Sequence, residues 1–169
     1  AGGQLAGLVF QPPDPEPQKA GDLVVTPGGI RLPATLEKPQ GPGPFPAIVL
    51  VHGSGPHDRD ETIAANAPFR DLAEGLARRG VATLRYVKRT RQAPQSPVAT
   101  VEQEVIEDAL SALALARQQT GIDSKRVFLL GHSLGGYLAP RIAQRDPALA
   151  GAILLAANAR PIDELAKEQ

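Results

Sequence analysis

Cysteine, methionine and tryptophan are absent from the 169 residues, and the aromatic content is 4 phenylalanines and 2 tyrosines. Without cysteine there is no disulfide, no thiolate metal site and no cysteine nucleophile, and either redox compartment fits. Without methionine the chain carries no initiator residue, so the expectation is of a processed, trimmed or partial chain. Charge of neither sign is in excess: 18 Lys plus Arg balance 18 Asp plus Glu, which leaves no electrostatic case for nucleic acid or an anionic membrane. No apolar run approaches the roughly 18 residues of a membrane span. The length suffices for one domain with a real core.

What is present centres on Arg126-Val-Phe-Leu-Leu-Gly-His-Ser-Leu-Gly-Gly136. The apolar run Val127 to Leu130 reads as a buried strand, and the residues after Gly135 take helical spacing. Between them Gly131-His-Ser-Leu-Gly135 forms the pattern G-x-S-x-G, in the strand-then-helix setting that pattern requires. A reversal this sharp leaves no room for Cβ atoms two residues either side of Ser133. The serine is then held on a strained turn with its hydroxyl exposed, and the Leu134 amide is free at a helix N-terminus. These are a nucleophile and half of an oxyanion hole.

Along the chain, residues 1–21 hold Pro12, Pro13, Pro15 and Pro17 and read as an extended leader or linker. That start favours export, to the periplasm or beyond, over a cytoplasmic location. Asp22 to Thr26 and Ile30 to Glu37 suggest two antiparallel strands about Pro27-Gly-Gly29. Ala47 to Val51 is apolar at every position, as in a central parallel strand covered on both faces. Phe69, Leu72, Ala73, Leu76 and Ala77 make one helical stripe, with Pro68 suited to its first turn and Gly80 to its end. Val81 to Tyr86 is a further strand. Thr100 and Gln103 form a capping box for a helix carrying Val101, Val105, Ala109, Leu113 and Ala116 inward. Ala150 to Ala156 reads as another buried strand. Strand and helix alternate, which predicts an α/β fold with a mostly parallel, doubly wound sheet.

On these residues the chain resembles the α/β-hydrolase superfamily, and within it bacterial esterase-like serine hydrolases. The likeness rests on His52-Gly-Ser-Gly-Pro56, Asp58-Arg-Asp60, Pro68-Phe-Arg-Asp-Leu-Ala73, Arg85-Tyr86, Lys88-Arg89 and Gly131-His-Ser-Leu-Gly-Gly136. It implies residues 22–157 as the N-terminal part of that core, with residues 158–169 starting a lid or connecting helix. It implies ester hydrolysis through an acyl-serine on Ser133, without cofactor or metal. Oxyanion amides come from Leu134 and Ser54, and His52, Gly53, Asp58 and Arg59 support the loop. The substrate is a small ester. Val87 stands where relatives often carry an acid between the Tyr and the Lys. In the superfamily the triad acid and histidine follow the serine on later strands, and this sequence stops one strand and one short helix beyond Ser133. The fold is therefore expected to lack its C-terminal strands here. Acid and histidine would come from a complementary C-terminal chain, a lost segment or a strand-exchanged homodimer.

The three histidines offer little substitution for that base. His52 opens the oxyanion loop and reads as a brace. His132 adjoins Ser133 but points to another side of the turn. His57 is the one placed to act, against the plainer reading of a solvated loop residue. Asp58, Arg59 and Asp60 are expected to fix the loop through carboxylate–guanidinium bonds. Asp163 reads as a helix-end charge, and Lys88, Arg89 and Arg91 as solvated or paired with the acidic loop. A non-catalytic binding module on this fold, and a peptidase or thioesterase using the same acyl-serine, remain open.

Overall fold

The computed structural model describes residues 14–19, 22–95 and 100–160. Most of the proline-rich leader, Asp163 and the expected final helix lie outside them.

Among the described residues, six strands form one sheet in the order β1-β2-β4-β3-β5-β6. Strands β1 (Leu23–Val25) and β2 (Leu32–Glu37) flank a short turn of helix at Pro27–Gly29 and pair antiparallel. β2 then lies antiparallel to β4 (Ala82–Tyr86). The remaining pairs, β3 (Phe45–Val51) with β4 and with β5 (Ile122–His132), and β5 with β6 (Gly151–Leu155), are parallel.

Helices cover both faces. α1 (Pro68–Ala77) begins with Pro68 in its first turn, where a missing N–H costs nothing, and is followed by Gly80 at φ 83°. It lays Phe69, Leu72 and Leu76 on Ile48, Leu50 and Leu130. On the opposite face α3 (Asp108–Arg117) and α4 (Leu134–Arg145) bury Ala109, Ala112, Leu113, Leu138 and Ile142 against Val49, Val51, Leu84 and Leu129. A strand apolar at every position needs such two-sided cover, and each large aliphatic residue removed from water contributes about 1.5–3 kcal/mol. Between β4 and α3 sit a short helix, α2 (Arg89–Gln92), and a π-helical segment, Glu102–Glu107. The capping box forms reciprocally: Thr100 N–H donates to Gln103 Oε1 and Gln103 N–H to Thr100 Oγ1, each at 3.2 Å.

Three details depart from the sequence reading. β5 extends well beyond Val127 to Leu130, because Ile122 pairs with Phe45 across an irregular step and carries polar residues 123–126 into the strand. Val101 is 48 % exposed rather than inward. Val105, Ala109, Leu113 and Ala116 are inward as expected, and across the wider π turn that follows Val101 it is Ile106 that joins them on the buried side. β6 is not buried: Ile153, Leu154 and Leu155 are exposed, since β6 lies at the margin of the sheet with no described helix over its outer side.

Strand order sets the site. The chain leaves β3 toward β4 on one side and returns to β5 on the other, so the sheet's reversal of direction falls between β3 and β5. Loops leaving the C-terminal ends of two such strands diverge and open a crevice, the place where open α/β sheets bind ligands.

Candidate active site

Ser133 occupies the bend between β5 and α4 with φ 51° and ψ −112°, a conformation costly for any residue with a Cβ. Its amide donates to Leu155 O at 2.9 Å and its carbonyl accepts from the Tyr137 amide at 2.9 Å, which hold the strained residue from both sides. The flanking glycines are sterically required. A Cβ on Gly131 would lie 2.3 Å from the Gly135 backbone, and one on Gly135 would lie 2.5 Å from Val51 O. The first turn of α4 is thus pressed onto the end of β3. Leu134 is the first helical residue, so its N–H has no intrahelical acceptor.

The loop after β3 meets this bend. A methyl group on Gly53 would stand 3.2 Å from Ser133 Cβ and 3.4 Å from His132 Nδ1. The structure therefore brings Gly53 against Ser133 at the sheet's reversal point, with Ser54 and Leu134 their next neighbours in the chain. The Ser54 N–H has no hydrogen-bond acceptor among the described residues.

Two buried ions hold Gly53. Its N–H donates to Glu61 Oε1 at 2.6 Å, and its carbonyl accepts from Lys88 Nζ at 2.6 Å. Glu61 is 1 % exposed and Lys88 2 %. Glu61 also has φ 52°, turning the acidic loop back under the oxyanion loop, and its Oε2 lies 3.0 Å from His132 Nδ1 in an off-axis contact. Lys88 Nζ is 3.1 Å from Glu104 Oε1, which also accepts from the Thr90 hydroxyl at 2.6 Å. Burial pulls the Lys88 ammonium below its ordinary pKa, against the opposing pull of Glu104.

His52 is buried. Its Nε2–H donates to Asp58 O at 3.0 Å, and its ring lies against Phe69, Tyr86 and His57, the last stacked at 6.0 Å. Burial first, then the Lys88 charge, lower its pKa to about 3, so the ring is neutral at working pH. His57 Nε2–H donates to Ser54 O at 2.6 Å. Asp58 Oδ1 accepts the Asp60 and Thr62 amides at 3.1 and 2.9 Å. Burial would raise its pKa, but those amide bonds outweigh it and hold the carboxyl below the usual range.

Arg59 and Asp60 do not bond within their own cluster as expected. Arg59 Nη1 donates to Asp22 Oδ1 at 2.7 Å and to Thr35 Oγ1 at 2.6 Å, and its Nε lies 2.6 Å from Glu16 Oε1. Asp60 pairs with Arg85 of β4. The loop is fastened outward, to β1, β2 and β4. Lys88 and Arg89 are likewise buried, and they pair with Glu104 and Asp108 rather than with the acidic loop. The start of the α3 segment lays its acids over the end of β4. Asp108 is fully buried, and burial raises its pKa to about 6 despite Arg89. Val87 is buried too, with its amide bonded to Pro33 O at 2.8 Å. Glu61 and Asp108 were not singled out from the sequence, and Glu104 was read there only as an acid at the positive end of its helix. Among the described residues no cluster of three or more His, Cys, Asp or Glu side chains is arranged for a metal ion. None of the described helices is long and apolar enough to cross a membrane.

A family model described as "Alpha/beta hydrolase family" matches residues 48–168. The chain is 44% identical over 179 aligned residues to Esterase EstD of Thermotoga maritima, an alignment covering 99% of this chain and 42% of that protein. The chain therefore spans less than half the length of that relative. Among solved structures, Est1E from Butyrivibrio proteoclasticus matches with TM-score 0.64 at 22% identity, over 88% of this chain and 55% of that one. Esterase Est22 matches with TM-score 0.65 at 21% identity, over 82% and 44% respectively. Structural likeness at such identities speaks for the fold.

Proposed function

The chain belongs to the alpha/beta hydrolase family, and from that premise we propose that it carries the nucleophile and oxyanion hole of a serine carboxylic ester hydrolase. The observation that carries this reading is Ser133 at φ 51° on a glycine-walled bend, with Gly53 close enough that a methyl there would meet Ser133 Cβ at 3.2 Å. Strain of this kind is retained where it serves a site. The 44% identity to an esterase supports the substrate class.

In this mechanism Ser133 Oγ attacks the ester carbonyl carbon as its proton passes to a general base. The carbonyl oxygen takes up the charge facing the Leu134 and Ser54 N–H groups. Collapse expels the alcohol, which takes the proton, and leaves an acyl-serine. Water, deprotonated by the same base, attacks that ester and frees the acid and Ser133. The base is not one of the three histidines here. His52 donates from Nε2 to Asp58 O and stays neutral, His57 donates from Nε2 to Ser54 O, and His132 Nδ1 lies beside Glu61 Oε2 at 3.0 Å in an off-axis contact. Base and triad acid are supplied from outside these 169 residues, by a further segment, a complementary chain or a strand-exchanged copy. A general base contributes about 10²–10⁴ in rate, so Ser133 without one is nearly inert.

The test uses the assembled protein. A fluorophosphonate is expected to label Ser133, and p-nitrophenyl esters to be turned over. Ser133→Ala is expected to remove labelling and lower kcat by about 10³-fold or more. Turnover undiminished in Ser133→Ala would refute the proposal.

A further inference from the structure

We propose that Lys88 is a positioning residue for the oxyanion hole: its buried ammonium anchors the Gly53 carbonyl and thereby aims and polarises the Ser54 N–H at the developing oxyanion. The inference rests on the reading of Ser54 as an oxyanion donor and assigns the groups that make it one.

The first observation is that Lys88 is in an expensive place. A lysine just beyond a strand end ordinarily extends into water, whereas this one is 2 % exposed. Removing an ammonium from water costs several kcal/mol unless its donors are satisfied. Here they meet Gly53 O at 2.6 Å and Glu104 Oε1 at 3.1 Å. Glu104 is itself held by the Thr90 hydroxyl at 2.6 Å, so the ammonium cannot swing away with its counterion.

The second observation concerns the peptide that Lys88 grips. Gly53 C=O and Ser54 N–H are the two ends of one planar unit, and that peptide is trans. In a trans peptide the two bonds point in opposite directions. A carbonyl pinned inward to a buried ammonium directs the following N–H outward, toward the crevice where Ser133 lies. The bond is also charge-assisted, and a cation on the carbonyl draws electron density through the amide, which makes the N–H a stronger donor.

A third observation explains why such a clamp is needed. Position 53 favours glycine, because a Cβ would meet Glu61 Oε1 and Ser133 Cβ tightly, at 3.2 Å each. Glycine has the freest backbone of any residue, so an unclamped Gly53 would let the next peptide flip. The structure restrains it on both sides with opposite buried charges: Glu61 takes the Gly53 N–H at 2.6 Å, and Lys88 takes its carbonyl. Among the described residues the amide without an acceptor is the next one, at Ser54.

Loss of one oxyanion donor costs about 10²–10³ in kcat. Loss of Lys88 leaves the donor in place but unaimed, so a smaller kcat effect is expected, roughly 10- to 100-fold, with KM within about threefold. The experiment uses the assembled, ester-cleaving protein with two variants. Lys88→Met alone leaves Glu104 without its ammonium, so the double change Lys88→Met/Glu104→Gln, which removes both charges, guards against a folding defect. Kinetics on p-nitrophenyl acetate are read beside the Ser54 amide resonance in the 1H–15N spectrum. The expected result is the kcat loss at near-constant KM, with the Ser54 amide proton moved upfield in a folded variant. A folded double variant with kcat within twofold of the wild type, or with an unmoved Ser54 resonance, overturns the inference alone. A wild-type protein that neither labels at Ser133 nor turns over ester overturns the esterase reading and this inference with it.

Discussion

His52 shows how one residue couples stability to the site. Its neutral ring fills the space between Phe69, Tyr86 and His57 and fastens the acidic loop through Asp58 O. The folded pKa of about 3 lies below the ordinary 6.5, so between those values the unfolded chain binds a proton that the folded one refuses. His52 stabilisation is therefore complete above pH 6.5 and lost as the pH falls toward 3, with a slope of about 1.4 kcal/mol per pH unit. Asp108 has the opposite sign: its raised value of about 6, against 3.8 unfolded, adds stability as pH falls through that window. In the wild type the two offset each other. Replacing His52→Gln is expected to remove the loss, so that urea unfolding at pH 7 and pH 4 differs from the wild-type pair by on the order of 3 kcal/mol. An unchanged difference would mean that His52 takes its proton in the folded state. The sequence made Ser133, His52 and Gly53 visible because their pattern is local. Glu61 was not visible, and Lys88 was seen without its burial or its partners, because nothing in a run of charges says which one turns inward. That is decided by the positive φ of Glu61 and by Gly53, eight residues earlier in the chain, whose N–H donates to no other acceptor among the described residues.

At the level of elements, the elbow is a contact between two strands and a helix. A Cβ on Gly135 would lie 2.5 Å from Val51 O and 2.7 Å from His52 O, so α4 bears directly on the strand that launches the oxyanion loop. Gly135→Ala forces those apart. The expected cost is at the upper end of roughly 1–3 kcal/mol, with loss of fluorophosphonate labelling. Gly75→Ala in α1 is the control of opposite sign. Its Cβ would meet nothing closer than Arg79 Nη1 at 3.9 Å, so helix propensity alone acts and stability rises by about 0.8–1 kcal/mol. Denaturant midpoints separate the two, and equal effects would refute the close contact. Glycine spacing is a covalent-scale signal, and so the elbow, α1 with its Pro68 and the Thr100–Gln103 box could be read from sequence. The ends of β5 and the facing of Val101 could not. The first depends on Phe45 far away in the chain, and the second on a π turn that separates Val101 from the stripe beginning at Val105.

For the whole molecule the asymmetry of the sheet matters most. At one margin β1 and β2 form an antiparallel edge tied by Arg59 to the acidic loop. At the other, β6 exposes Ile153 at 44 %, Leu154 at 51 % and Leu155 at 42 %, three large apolar residues in a row. An apolar run on a sheet margin pairs with whatever strand is offered, and burying each such side chain contributes about 1.5–3 kcal/mol. The sequence could identify the strand but not its exposure, since the same apolar run serves a covered strand and a marginal one. On the esterase reading proposed above, a segment or chain holding the triad acid and histidine would cover that side. The 169 residues expressed alone are then expected to sediment as concentration-dependent oligomers, and Leu154→Lys to shift them toward monomer. The same substitution in the assembled protein is expected to lower stability by about 2 kcal/mol or more and to reduce ester turnover. Intact mass with a chain count, run on both forms, identifies what covers β6. A Leu154→Lys change silent in both forms would exclude β6 as the joint through which Ser133 acquires its base.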